Sequence, residues 1–371
     1  MLTAMVLTLG VLLTASPAPT SPRPAPVPIE GVSAILDAAR THPIVGVGES
    51  HRSAVVHDFL LRLVREPRFP GAFQDIVVEF GNARYQSLMD RYVAGEAVPA
   101  EQLRRVWRDT TQLLVWDSPL YEQFFATVRD VNSKLPPEKR LRVLLGDPPI
   151  DWEAVRAPED FSPAYDYRDP HIFRLIEQEV LSRGRHALVV IGKGHLLRLG
   201  PAGGFQPQPL NQAFLGDALA QRYPGKAFLV WTVFGPRDAI ASQVVAWRPG
   251  TLVHLGGTSL GARSSSLLMA GTIRISRMVD GKPTPVTLRP EDFPALEAQL
   301  DAMLYLGAAD PRVDPPPALY RDSAYVAELR RRASVLLPSS GDYTQDIDTL
   351  VKEAEASGRP TVPEGRSAPG R

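Results

Sequence analysis

IVGVGESH, residues 44–51, is an apolar run that ends in residues able to do chemistry. Three other runs end the same way: IVVEFG (76–81), VLLGDPP (143–149) and LVVIGKGH (188–195). Each is short, rich in β-branched residues and closed by glycine or proline. That is the pattern of a strand buried on both faces in a parallel sheet. A polar residue falls just past each C-terminal end: Glu49 and His51, then Glu79, Asp147 and His195. In open α/β sheets the ligand crevice lies outside the carboxyl ends of the strands. Two histidines and three carboxylates at four such ends predict one shared site.

Helical patterns separate the runs. HRSAVVHDFLLRLVRE (51–66) places Val55, Phe59, Leu60 and Leu63 at helical spacing. EGVSAILDAARTH (30–42), NARYQSLMDRYVAG (82–95), most of 99–133, 171–183 and NQAFLGDALAQRYPG (211–225) read as further helices, and KAFLVWTVF (226–234) as a fifth strand. This alternation predicts an α/β fold: a mostly parallel sheet covered by helices on both faces, with the site at the C-terminal strand ends. After 236 the pattern changes to QVVAWRPG, TLVHLGG and GTIRISRMVDGKPTPVTL, short strands that extend the sheet edge or form a flap. Residues 290–308 and 318–336 then read as helices. The expected organisation is one α/β domain over 29–336, with 236–336 its β-then-helical C-terminal extension, and a disordered tail over 355–371.

Composition narrows the function classes. The chain has 371 residues, with 41 Lys+Arg against 41 Asp+Glu, a formal net charge of zero. With no basic block, neither nucleic acid nor an anionic membrane surface is the expected partner. Cysteine is absent, which removes disulfides, thiolate metal sites and a cysteine nucleophile. A metal would need His, Asp or Glu. The apolar stretch Ala4–Leu13 is too short to span a bilayer. With the small residues Thr14, Ala15, Ser16 and Ala18 after it, it reads as a signal peptide over 1–18, followed by a proline-rich linker over 19–28. The expected location is therefore secreted or periplasmic, with no stable membrane span. The sequence does not indicate an oligomeric state.

Each candidate has a functional and a plainer reading. Glu49 and His51 lie at a strand-to-helix turn, where Glu49 and Ser50 could instead only cap the helix. Glu79 ends a buried strand, where a lone carboxylate is costly unless partnered, and Arg84 is a structural alternative. Asp147 precedes two prolines and could be a turn aspartate. Arg168 and Asp169 fit an N-cap ahead of Pro170. Lys193 stands between two glycines beside His195, where the backbone can approach a ligand closely, or is a solvated loop charge. His42, His57, His171, His186 and His254 read as structural. GTSLG (257–261) matches a nucleophile elbow, but no histidine follows Ser259, so it reads as a glycine-rich turn.

G-E-S-H after the first strand, V-V-E-F after the second and G-K-G-H-L after a later one resemble a superfamily of ChaN-like haem-uptake proteins, Tiki metalloproteases and erythromycin esterases. The ChaN-like branch is most similar, through its compact G-E-x-H. The resemblance covers about residues 30–235 and implies an α/β fold with His51, Glu79 and His195, joined by Glu49, in catalytic or ligand roles.

Together these readings predict an exported hydrolase of an ester or amide bond, with a small-molecule or peptide substrate. His51 would act as general base, or His51, Glu79 and His195 would hold a divalent ion such as Zn, Mn, Co or Fe. Asp147, Arg84, Lys193, Arg168 and Asp169 would support them. The alternative is a haem- or iron-binding protein of the ChaN type that breaks no bond.

Overall fold

The computed structural model describes residues 22–161, 168–200, 205–234, 247–269, 274–279, 282–336 and 343–357. Its strands are β1 (Ile29–Glu30), β2 (Ile44–Glu49), β3 (Asp75–Asn82), β4 (Arg142–Asp147), β5 (Ala187–Gly192), β6 (Ala227–Val233), β7 (Thr251–His254), β8 (Arg274–Val279), β9 (Lys282–Thr287) and β10 (Ala302–Tyr305). Eight form one sheet in the order β1-β7-β10-β6-β2-β5-β3-β4. From β10 to β4 every pairing is parallel, while β7 and β1 add antiparallel edges. The α/β architecture is as the alternating pattern predicts.

Both faces are covered. Val45, Val47, Ile76 and Val78 pack with Phe59 and Leu60 of the helix Ala54–Arg65, and with Phe124 and Phe125 of the helix Pro119–Ser133. On the other face Val77, Val189 and Trp231 pack with Phe173 and Ile176 of the helix Arg168–Glu179, and with Leu219 of the helix Leu215–Arg222. Alternate residues of one strand thus serve opposite cores, which is why these strands read as continuous apolar runs.

Topology places the site. β2 lies between β6 and β5, and the chain passes β5 to build β3 and β4 before returning. The direction of winding reverses around β2 and β5, and the crevice of a doubly wound sheet forms at such a reversal. β3 adds a local device. It pairs with β5 only as far as Val78, and its register against β4 shifts between Val78 and Asn82. Glu79 is therefore the first residue outside the regular ladder, and a bulge of this kind re-aims a side chain.

Three expectations change. Residues 290–308 do not form one helix: after the short helix Leu296–Gln299 the run Ala302–Tyr305 is β10, paired on both sides by β6 and β7. Ala, Met and Leu favour helix, and burial between two strands overrides that preference. The 99–133 segment is helical at Ala100–Arg108 and Pro119–Ser133, but 109–118 is a largely buried loop. A further helix, Tyr343–Ser357, follows the domain end expected at 336 and buries Ile347 and Ala354 against Leu319, Tyr320 and Leu329. GTSLG is a turn: Gly257 has φ +73, and the Thr258 hydroxyl donates to Leu255 O. The expected signal peptide, part of the linker, most of the expected tail and part of QVVAWRPG lie outside the described residues.

Candidate active site

Glu49 is the last residue of β2, on the same face as Val45 and Val47, and is buried. A lone carboxylate there would be costly. Three donors satisfy it: His51 Nδ1 at 2.7 Å to Oε2, and His57 Nε2 and Tyr121 Oη, each at 3.2 Å to Oε1. Burial pushes its pKa up, but hydrogen bonds from His51 and His57 outweigh that and hold it at about 2. Glu49 is therefore an anion at neutral pH.

His51 follows two residues later with its ring partly open to solvent. Its Nδ1–H is given to Glu49, so in the neutral imidazole the lone pair is on Nε2. Among the described residues no protein group hydrogen-bonds Nε2. Burial favours the neutral ring. The hydrogen bond and charge of Glu49, with the charge of Glu79, outweigh it and raise the pKa above the ordinary histidine value. Trp116 meets the ring edge-on, with centroids 4.5 Å apart. The next residue, Arg52, takes φ +64, in the left-handed region. Its N–H donates to Tyr121 Oη and its guanidinium to Leu114 O, which hold that turn.

Glu79 faces His51 across Gly192, the last residue of β5. A Cβ added at Gly192 would lie 3.3 Å from Glu79 Oε2, 3.3 Å from His195 Cδ2 and 3.7 Å from His51 Cε1. A side chain here would press on Glu79 and His195, which would have to give by a few tenths of an ångström. The Gly192 N–H donates to Glu79 Oε2 at 2.7 Å, and Gln112 Nε2 donates to Oε1 at 2.7 Å. Burial opposes its ionisation, but the charges of His195, Arg168 and His51 prevail and its pKa is lowered.

His195 stands in the short 3-10 turn after β5. Its Nδ1 bonds both Asp169 oxygens, at 2.9 and 2.8 Å. Its Nε2 lies 3.2 Å from Arg168 Nη2 and 3.8 Å from Glu79 Oε1. Burial lowers its pKa, the Asp169 hydrogen bond raises it, and the net shift is upward despite Arg168. Arg168 Nε is 3.5 Å from Glu79 Oε1, so this guanidinium sits between the carboxylate and the imidazole.

The other candidates divide. Asp169 does not act as a simple helix cap: it binds His195 and accepts the Leu215 N–H. Asp147 is fully buried, with both oxygens on Thr111, from its N–H at 2.8 Å and its hydroxyl at 2.5 Å. Burial pushes its pKa up to about 7. Arg84 pairs with Asp151 at 2.7 Å, not with Glu79. Lys193 lies over the rings of Trp231 and Phe234. Four participants lacked a motif in sequence: His57, Tyr121, Gln112 and Trp116. His57, which reads as structural in sequence, falls six residues after His51 on the following helix and supports Glu49 from there. Gln112 and Trp116 belong to the 109–118 loop, whose available signal was Ser118-Pro119, a cap followed by a first-turn proline.

The donor set does not fit a divalent metal. Among the described residues no three His, Asp or Glu side chains are grouped to ligate one. The Arg168 guanidinium already supplies the cation beside Glu79 and His195, and a second positive charge there would be repelled.

No family model matches the chain, and no curated protein does. Solved structures do. A Bacillus cereus protein is 13% identical over 78% of this chain and 96% of that one, with a TM-score of 0.46. An erythromycin esterase variant in its open conformation is 12% identical over 76% and 95%, with a TM-score of 0.48. ChaN of Campylobacter jejuni with cofacial haem is 12% identical over 56% and 87%, with a TM-score of 0.37. Two of the groups named from the motifs thus appear among the matches. At these identities they assign no activity to this chain.

Proposed function

We propose that the chain is a metal-independent hydrolase of ester or amide bonds, with His51 as general base. The observation that carries this reading is the state of His51. One ring nitrogen is locked on a buried anion, and the other takes no hydrogen bond from the described residues, in a side chain partly open to solvent and facing Glu79 with its Arg168 guanidinium. A base within reach of water and held in one tautomer is what hydrolysis needs.

In the proposed reaction His51 Nε2 takes a proton from water as the water oxygen bonds to the carbonyl carbon. The carbonyl π pair moves onto its oxygen. That oxyanion develops near the Arg168 guanidinium, which Glu79 and His195 hold in place before the reaction and which stabilises it. The tetrahedral intermediate collapses, the bond to the leaving oxygen or nitrogen breaks, and the leaving group takes the proton from His51. Glu49 stabilises the transient imidazolium. Glu79 holds Arg168 and His195 together, and Asp169 orients His195. No metal takes part in any step.

The test is hydrolysis of a panel of activated esters and amides by chelator-treated protein. Turnover should survive the chelator and fall by about 10²- to 10⁴-fold in His51→Ala. Loss of turnover on chelation, with recovery on adding zinc or manganese, would overturn the metal-independent reading. Turnover unchanged in His51→Ala would overturn the base. A Soret band on titration with haem, lost in His51→Ala and accompanied by no hydrolysis, would favour the binding protein instead.

A further inference from the structure

We propose that the C-terminal helical extension is a clamp that sets the 109–118 loop against the catalytic histidine, with Tyr325 and Arg332 as positioning residues. The proposal rests on the site reading above for its effect on turnover, but its structural part stands without it.

The 109–118 loop has no regular structure, yet Asp109, Thr110, Thr111, Leu113, Trp116, Asp117 and Ser118 are buried. A buried loop must have its polar groups satisfied by other parts of the chain. On its inner side it serves the site. Thr111 holds Asp147, Gln112 donates to Glu79, and Trp116 lies against His51. Leu114 is held at φ +65, a conformation that costs about 1 kcal/mol or more in a residue with a Cβ. Such a loop keeps its shape only if something outside it holds both ends.

Both ends take hydrogen bonds from the extension, at the first end beside those that Tyr85 Oη and Arg105 Nε give Asp109 Oδ2 at 2.9 and 2.8 Å. At the first, Arg332 Nη2 donates to Asp109 Oδ1 at 2.7 Å and its Nη1 to Arg108 O at 3.0 Å. Arg332 is 5% exposed, which is rare for an arginine, and its guanidinium lies over the Trp152 ring. At the second, Asp117 accepts from Tyr325 Oη at 2.7 Å and Tyr320 Oη at 3.1 Å. Between them, Leu113 packs with Leu319, Tyr320, Val326 and Leu329. Each end of a site loop is thus fixed through a buried carboxylate to the helix Ser323–Val335 or the turn before it, and the helix Tyr343–Ser357 backs both. Neither Tyr325 nor Arg332 touches His51, Glu79 or His195, so they act through the loop.

The experiment compares Tyr325→Phe and Arg332→Lys with the full-length parent. Tyr325→Phe removes one hydroxyl and keeps the ring, so it is the variant expected to fold. Amide hydrogen exchange should rise about tenfold across 110–117 and stay unchanged in β2, β3 and β5. The kcat for an activated ester should fall about tenfold with little change in KM. Tyr325→Phe should also shift the His51 imidazole NMR resonances, through the displaced Trp116 ring. Raised exchange in the loop, with a parent that hydrolyses nothing, keeps the clamp and defeats the hydrolase reading. An active parent whose loop exchange and kcat are the same in both variants overturns the clamp. So does exchange that rises equally in the loop and the central strands, since that is global loosening.

Discussion

At Glu49 a buried carboxylate accepts from His51, His57 and Tyr121, and this sets the pH behaviour of the site. His51 works as a base only when neutral, and its pKa lies above 6.5. Ester hydrolysis should therefore rise with pH through a midpoint above 6.5. Glu49→Gln removes the partner that favours the imidazolium, so the midpoint should fall and kcat should drop by about 10²-fold or more, read from pH–rate profiles. Stability linked to Glu49 also rises with pH, but in a lower range. Its folded pKa is depressed from 4.5 to about 2, so its contribution is complete above the unfolded value and is lost as pH falls through that window. Asp147 behaves in reverse. Its pKa is raised from 3.8 to about 7, so folded protein binds the extra proton, and stability declines as pH rises across that range. Asp147→Asn should flatten that decline in denaturant midpoints measured from pH 4 to 8. A decline of the same slope in the variant would place its origin elsewhere.

At the scale of the element, much was legible because strand ends carry short-range signals. Glycines in IVGVGESH and LVVIGKGH mark close approaches that the structure uses: a Cβ at Gly48 would lie 2.6 Å from Lys193 Cβ, and one at Gly192 would crowd Glu79 and His195. Gly192→Ala should leave the fold intact and lower kcat about tenfold or more, because the carboxylate must shift by a few tenths of an ångström. Circular dichroism and kinetics together check it, and unchanged kcat would mean the convergence at Gly192 does not matter to turnover. The neighbourhood of Asp169 was harder to read. An aspartate before a proline is a common cap, and only the fold brings it within 2.8 Å of His195. Gln112 and Trp116 were invisible for a similar reason. They sit in an irregular loop whose shape depends on Asp147, Arg52, Arg332 and Tyr325, residues about 30 to 220 positions away. The strand Ala302–Tyr305 reads as helix in sequence because four apolar residues have no decisive period of their own.

Across the whole molecule, the two ends of the sheet do different work. At the N-terminal end of β3, fully buried Asp75 takes paired hydrogen bonds from Arg142 and Arg185, tying β3 to β4 and to the start of β5. Both guanidinium groups keep about a third of their surface in water. Asp75→Ala should therefore cost about 1–3 kcal/mol, less than breaking a fully buried pair. Turnover per folded molecule should not change, because Glu79 lies at the far end of the strand. In this sheet class a ligand crevice is expected outside the carboxyl ends of the strands, away from Asp75. The described residues contain no helix long and apolar enough to cross a membrane. The central claim is that an anionic Glu49 arms His51 as a metal-free base, and the pH–rate profile of chelator-treated protein tests it most directly. The account predicts one ascending limb above 6.5 that persists without metal and moves down in Glu49→Gln. A limb that vanishes on chelation, or stays fixed in Glu49→Gln, would contradict it.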